Sequence, residues 1–251
     1  MEHLLIVLWG FVFGLLAGLT GVGTGSIGTA GLLLFFHFDP KAAIAANILN
    51  GAVMKTSGTV KHFLHDHPKV GLGIPFVVGG APASVVGSLL SGFITTTIFK
   101  LLIGGTLVCV SLLLIWEVYY LPEVEKGHSR KPDGKKKILA LICGVIVGFI
   151  AGLTSVGTGT LMIASMLIIL RLPSKAAVGT TLFCGAIILG TSALTHTVAG
   201  HTDFMLALNL MAGSIPGVWI GSHFCAKAPV RQLRVAIAVL ILIAGAKLLF
   251  K

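Results

Sequence analysis

Two short stretches, TGVGTGS (Thr20–Ser26) and TSVGTGT (Thr154–Thr160), carry the residue types needed to hold an anion without a formal counter-charge. Glycines let the chain leave a helix and turn, and their bare backbone lets a ligand approach peptide N–H groups directly. A helix that resumes after such a turn aims unpaired N–H donors and a partial positive charge at whatever occupies it. The hydroxyls of Thr20, Thr24, Ser26, Thr154, Ser155, Thr158 and Thr160 add neutral donors, and Gly23, Gly25, Gly157 and Gly159 are the backbone contact points. Gly23 to Gly28 also fits G-x-G-x-x-G, but no strand precedes it and the second copy lacks the last glycine, so dinucleotide binding is set aside.

A second group of polar residues interrupts apolar sequence farther along. One segment carries Asn47, Asn50, Lys55, Thr56 and Ser57; its equivalent carries Thr180, Thr181, Cys184, Thr191 and Ser192. Polar groups at membrane depth are costly and usually face the bundle interior. Asn47 and Asn50 lie three residues apart, on one helix face. They line a substrate path or bond neighbouring helices. Lys55, the basic residue set well inside an apolar stretch, either attracts an anion or snorkels to the cytoplasmic surface. His62 and His196 occupy matched positions, where titration could gate access or simply mark an interface. The substrate-binding candidates are therefore Thr20, Gly23, Thr24, Gly25, Ser26, Asn47, Asn50, Lys55, Thr154, Gly157, Thr158, Gly159, Thr160 and Thr181.

Acidic residues are informative by position. Glu2, Asp39, Asp66, Glu117, Glu123, Glu125, Asp133 and Asp203 fall at segment ends, in loops or in one polar run. A cation pump or proton relay normally places a carboxylate inside the membrane, so this distribution favours an anionic substrate. No H-E-x-x-H, G-x-S-x-G or paired intramembrane carboxylate occurs, which argues against a membrane enzyme and against a metal or catalytic site. Cys109, Cys143, Cys184 and Cys225 form no CxxC pair and read as small packed residues. No cofactor is implied.

These elements are positioned by a duplication. Gly14 to Ser88 repeats as Gly148 to Ser222 without a gap, with 23 identities in 75 positions at an offset of 134 residues. Lys41-Ala42-Ala43 meets Lys175-Ala176-Ala177, and Gly79, Pro82, Gly87 and Ser88 meet Gly213, Pro216, Gly221 and Ser222. An unbroken internal repeat in an apolar chain is the pattern of a transporter built from two related halves. Of the 251 residues 55% are apolar and 10% charged, a balance suited to a helical bundle in lipid. Eight windows are long enough to span: 4–19, 42–64, 71–93, 98–119, 138–153, 176–199, 204–224 and 230–250. Two shorter runs, 27–38 and 161–170, follow the glycine motifs and pair with the preceding helix as a re-entrant hairpin or as two short crossings. The small-residue spacings Gly14/Gly18, Gly148/Gly152, Gly79/Ala83/Gly87 and Gly213/Gly217/Gly221 read as helix-packing faces. The flank Met1-Glu2-His3 has no Lys or Arg, and the first helix carries the first repeat, so it is read as retained and not as a signal peptide.

Topology follows from the basic residues. The run from Pro122 to Lys137 is the linker between a first repeat, 1–121, and a second, 138–251. If each half crosses an odd number of times, the copies are inverted; then thirteen basic residues share the linker's side and four lie opposite, whereas parallel copies split them ten to seven. Positive charge is retained in the cytoplasm, so the inverted arrangement is preferred, with the linker cytoplasmic and both termini outside. The net charge of +10 thus reflects membrane topology and not nucleic-acid binding. The fold class is an all-α polytopic integral membrane protein of two inverted-topology repeats, whose broken or re-entrant helices meet near the bilayer midplane. Its partners are the lipid bilayer and a small anionic substrate; oligomeric state, including a homo-oligomer, is left open.

The paired glycine turns, each followed by an apolar half-helix, a Lys-Ala-Ala helix start (Lys41-Ala42-Ala43 and Pro173-Ser174-Lys175-Ala176-Ala177) and a polar helix ending near a histidine, resemble the TauE/SafE family across essentially the whole chain. Its members are called sulfite exporters or toluene-sulfonate uptake permeases. The resemblance implies an inner-membrane transporter of sulfur-containing anions such as sulfite or organosulfonates, working by alternating access. An anion channel of the same architecture, or a carrier of a non-sulfur organic anion, are the alternatives. Where family members often have three consecutive glycines, this chain has Gly23-Thr24-Gly25 and Gly157-Thr158-Gly159, the same change in both copies.

Overall fold

Uninterrupted apolar sequence, poor in charge and broken by glycine and proline at intervals of a membrane width, folds as long helices because lipid offers the backbone no hydrogen-bond partners. A computed structural model describes residues 2–22, 24–65, 69–120, 134–224 and 230–249. Its long helices are α1 (Glu2–Thr20), α3 (Pro40–His65), α4 (Val70–Ser91), α5 (Thr96–Tyr120), α6 (Gly134–Thr154), α8 (Ser174–Val198), α9 (Phe204–Phe224) and α10 (Val230–Leu249). Each coincides with one expected span, and no strand occurs among the described residues. Seven are long and apolar enough to cross a membrane; α3, bearing Asn47, Asn50 and Lys55, is the more polar eighth. The protein is an all-α polytopic membrane protein. Its outer surface is apolar, with Leu4, Leu8 and Val12 of α1 and Val145, Ile146 and Phe149 of α6 among its exposed side chains.

Two expectations shift. The short helices start nearer the glycine motifs: a wide helical turn, Thr24–Gly28, leads into α2 (Thr29–Leu34), while α7 (Thr160–Ala164) leads into a wide turn, Ser165–Ile169. Gly134 to Lys137, expected in the linker, instead form the exposed first turn of α6; Pro122 to Asp133 lie outside the described residues.

The duplication extends to the backbone. Gly21 and its equivalent Ser155 are both left-handed, with φ of 77° and 63°. So are His37 and Arg171, with φ of 55° and 52°. Phe38 N–H donates to Leu32 O at 3.1 Å, and Leu172 N–H to Met166 O at 2.9 Å, the same long bond at the offset of the repeat.

Helices exchange between the halves. Gly10, Gly14 and Gly18 of α1 lie against Leu210, Ser214 and Val218 of α9, where a Cβ would come within 2.5 Å of the facing carbonyl oxygen each time. Gly144, Gly148 and Gly152 of α6 lie against Phe76, Gly80 and Ser84 of α4 even more closely. Close packing of this kind is what small residues supply to membrane helices. In both pairs the numbers rise together, so α1 runs parallel to α9 and α6 parallel to α4. Ser214 to Asn50 and Trp219 to Ser57 set α9 parallel to α3. Cys184 to Gly73 and Ser88 to Ser192 set α8 parallel to α4. Between α3 and α8 the order reverses: Gly58 faces Leu182 and Lys55 faces Gly185, so these two are antiparallel.

Candidate functional site

Each half presents a hairpin. Gly31 of α2 packs on the Trp9 ring, and the Trp9 and Phe35 rings meet edge to face with centroids 5.6 Å apart, so α2 folds back along α1. The tip of that hairpin carries the first glycine motif. Thr20 closes it: its hydroxyl donates to Leu16 O at 2.7 Å and accepts from Val22 N–H at 3.1 Å. Thr154 does the same with Ile150 O at 2.8 Å and Val156 N–H at 3.2 Å. These two hydroxyls brace the turns and are already engaged, unlike the free donors expected of them.

The tips touch. Gly25 lies so close to the Ser155 carbonyl that a Cβ there would overlap it, and Val156 Cα is 3.0 Å from the same point. Asn47 joins the halves, its Nδ2 donating to Thr29 Oγ1 at 2.8 Å and to Ser155 Oγ at 3.3 Å. Lys55 is fully buried, and its Nζ donates to the carbonyl of Thr158 in the second turn. It does not snorkel to a surface.

Around this junction lie side chains that lack what burial demands. Ser26 Oγ, Asn50 Nδ2, Thr158 Oγ1, Thr160 Oγ1 and Thr181 Oγ1 are buried without a hydrogen-bond partner. All five were candidates from sequence. Ser26 and Thr160 are equivalents in the repeat, while Asn50 and Thr181 come from α3 and α8, with Asn50 Oδ1 accepting from Ser214 Oγ at 2.6 Å. A buried donor left unpaired costs about 1–3 kcal/mol, which makes these five side chains the candidates for contact with a polar ligand. Buried polar and charged residues include Lys55 and Arg234 but no Asp or Glu among the described residues. Gly157 takes φ of 114°, a conformation suited to glycine, and its carbonyl accepts Met162 N–H at 2.9 Å, while Gly159 precedes α7 without a side-chain cap. Gly23 and the side chain of Thr24 lie outside the described residues.

Sequence reasoning passed over Thr29, Ser84 and Ser214. Thr29 and Ser214 position the two asparagines. Ser84 and Ser88, one helical turn apart on α4, form hydroxyl contacts with Thr191 at 3.0 Å and Ser192 at 2.6 Å on α8. The four-residue spacing of Ser84 and Ser88, facing the Thr191-Ser192 pair, was the available signal.

The family model described as "Sulfite exporter TauE/SafE" matches residues 6–248. The chain belongs to this family. Among relatives of this TauE/SafE chain, "Probable membrane transporter protein YjnA" of Bacillus subtilis (strain 168) is 30% identical, covering 97% of this chain and 98% of its own length. "Probable membrane transporter protein YdhB" of the same strain is 26% identical over 98% of this chain and 100% of its own, and YunE, similarly named, 23% over 100% and 98%. No solved structure matches the chain. A TauE/SafE membrane transporter with this interior is an integral membrane protein whose buried centre, at the junction of two glycine turns, offers neutral donors and one lysine.

Proposed function

We propose that this transporter carries a small sulfur-containing oxyanion, such as sulfite or an organosulfonate, by alternating access between two inverted halves, and that it has no catalytic activity. The observation that carries the reading is the set of five buried, unpartnered donors around the touching turns, with Lys55 beside them and no buried carboxylate among the described residues. Buried donors held by helices and turns suit an oxyanion, whose several oxygens accept many hydrogen bonds. Gly25, Gly157 and Gly159 admit it to backbone, with Ser26, Thr158, Thr160, Asn47, Asn50 and Thr181 around it. The family's printed name supports sulfite as the first anion to try.

The helix directions support inversion. α1 is parallel to α9 and thus to α3, α6 is parallel to α4 and thus to α8, and α3 opposes α8; matched helices α1 and α6 therefore run oppositely. With the basic residues counted as above, the linker lies in the cytoplasm and both termini outside. In this arrangement each half closes one side of a shared site, and rocking about the turns exposes it alternately.

Purified protein is heated with sulfite, thiosulfate, sulfate, sulfonates and carboxylates in turn. A ligand of the folded form raises apparent stability, by about 2.7 kcal/mol at a hundredfold excess over its Kd. Stabilisation by sulfite or a sulfonate, and saturable flux in liposomes, is expected. Ohmic single-channel current would replace the carrier with a pore, and stabilisation by carboxylates alone would replace the substrate class.

A further inference from the structure

Outside the central junction, one buried group has a free proton-accepting atom. His196, near the end of α8, is 2% exposed, and its Nε2 lies 3.2 Å from the carbonyl of Gly152 in the last turn of α6. A carbonyl can only accept, so Nε2 carries the hydrogen, and Nδ1 is left as a bare lone pair. That Nδ1 is buried and has no partner. The ring of His201, on the connection between α8 and α9, stands 6.1 Å away centroid to centroid and is itself partly exposed. The same Gly152 carbonyl accepts a second bond, from Ser88 Oγ at 3.3 Å, and Ser88 is 2.6 Å from Ser192 Oγ.

Gly152 stands two residues before Thr154, which closes the second turn. The end of α6 presents unpaired carbonyls and partial negative charge toward that turn, which opposes an anion. His196 and Ser88 draw on one of those carbonyls. A proton on Nδ1 would turn His196 into a cation at a helix C-terminus, its favoured position, and offset the repulsion.

The arrangement is not repeated in full. In the matched position of the other half Ser192 is replaced by Gly58 and Ser84 by Val218. Charged groups at this end include Asp203 on the same connection, Lys41, whose Nζ donates to Gly92 O at 3.0 Å beyond α4, and Asp39, whose Oδ2 accepts from Lys41 N–H at 3.0 Å, with Lys100 at the start of α5 and Lys247 at the end of α10. α4 has no titratable side chain, and those of α6 (Lys135, Lys136, Lys137 and Cys143) come earlier on the helix.

We infer that His196 is a proton-binding station, loaded from the α8–α9 connection past His201, and that its protonation is coupled through the Gly152 carbonyl to anion binding at the second turn. The proton adds to Nδ1 on loading and leaves from it on release; no other bond changes. Because coupling between two ligands is reciprocal, proton and anion each favour the other's binding; carried across as a pair, they travel in the same direction. This rests on the anion reading above and adds the coupling ion to it.

The test uses reconstituted full-length protein with membrane potential clamped and ³⁵S-labelled sulfite as probe. With equal pH on both sides, His196→Gln should still exchange sulfite, but with lower affinity than wild type. With a pH difference, wild type should accumulate more sulfite than His196→Gln by about tenfold per pH unit for one coupled proton. Sulfite's own titration acts on both proteins alike, so the difference belongs to His196. Equal accumulation in the two overturns the inference while leaving the anion reading intact. Absence of exchange in wild type fails the anion reading and removes the inference with it. Should His196→Gln not fold, ¹⁵N-histidine NMR of wild type decides: sulfite should move one imidazole titration to higher pH, and no movement overturns coupling.

Discussion

Gly21 and Ser155 hold the same left-handed backbone at matched points of the two halves, but only one of them is glycine. Ser155 is buried in that conformation and accepts Asn47 Nδ2 across the junction. An L-residue pays about 1–2 kcal/mol there, so the serine is kept against local preference. Gly21→Ala should destabilise by about 1–2 kcal/mol for this reason. Its Cβ would also lie 3.2 Å from Ile163 Cδ1. Ser155→Gly should leave stability within about 1 kcal/mol, since strain relief offsets the entropy of glycine and the lost bond. Thermal unfolding in detergent would check both; a large loss in Ser155→Gly would mean that the Asn47 bond outweighs the strain.

Gly25→Ala places a methyl into the Ser155 carbonyl, backbone against backbone, with no flexible side chain to yield. The turns must separate. We expect about 1–3 kcal/mol of destabilisation, as in overpacked cores, together with loss of stabilisation by sulfite. Unchanged sulfite protection in a folded variant would detach the binding site from the turn contact.

Lys55→Met keeps most of the side-chain volume and removes the donor to Thr158 O. Hydrogen bonds involving a charged partner contribute about 1.5–3 kcal/mol, so anion affinity should fall about tenfold or more. Replacing a buried charge by an apolar side chain need not destabilise, so the melting temperature should hold. Equal affinity with a lowered melting point would assign Lys55 to structure alone.

Thr181→Val and Thr20→Val separate two kinds of hydroxyl. Thr181 Oγ1 has no partner, so its loss should not reduce stability, while sulfite affinity falls by about three- to tenfold for one neutral hydrogen bond. Thr20 is engaged with Leu16 O and Val22 N–H, so Thr20→Val should cost about 1 kcal/mol of stability. Calorimetric titration beside thermal melts reads both quantities.

The spans were legible because hydrocarbon length and charge placement fix them, and all eight windows became helices. The repeat was legible to the level of backbone angles, as Gly21 with Ser155 and His37 with Arg171 attest. Thr20 and Thr154 were read as free donors because a hydroxyl's local bond to the preceding helical turn depends on where that helix stops. The alternatives for Lys55 could not be separated in sequence, since snorkelling and burial use the same residue at the same depth. Thr29 and Ser214 came forward only through their contacts with Asn47 and Asn50 on α3, which spacing along one segment does not encode. The small-residue faces of α1 and α6 were legible as packing surfaces, but not that each would choose a helix of the opposite half.

That choice of partner has a consequence for biogenesis. α1 leaves the ribosome long before α9, the helix that covers its glycine face. The nascent chain must keep that groove unfilled in the bilayer until α9 has been inserted. A chain severed between α5 and α6 would leave two fragments, each with an unmatched groove, that regain the native assembly only by finding one another in the membrane.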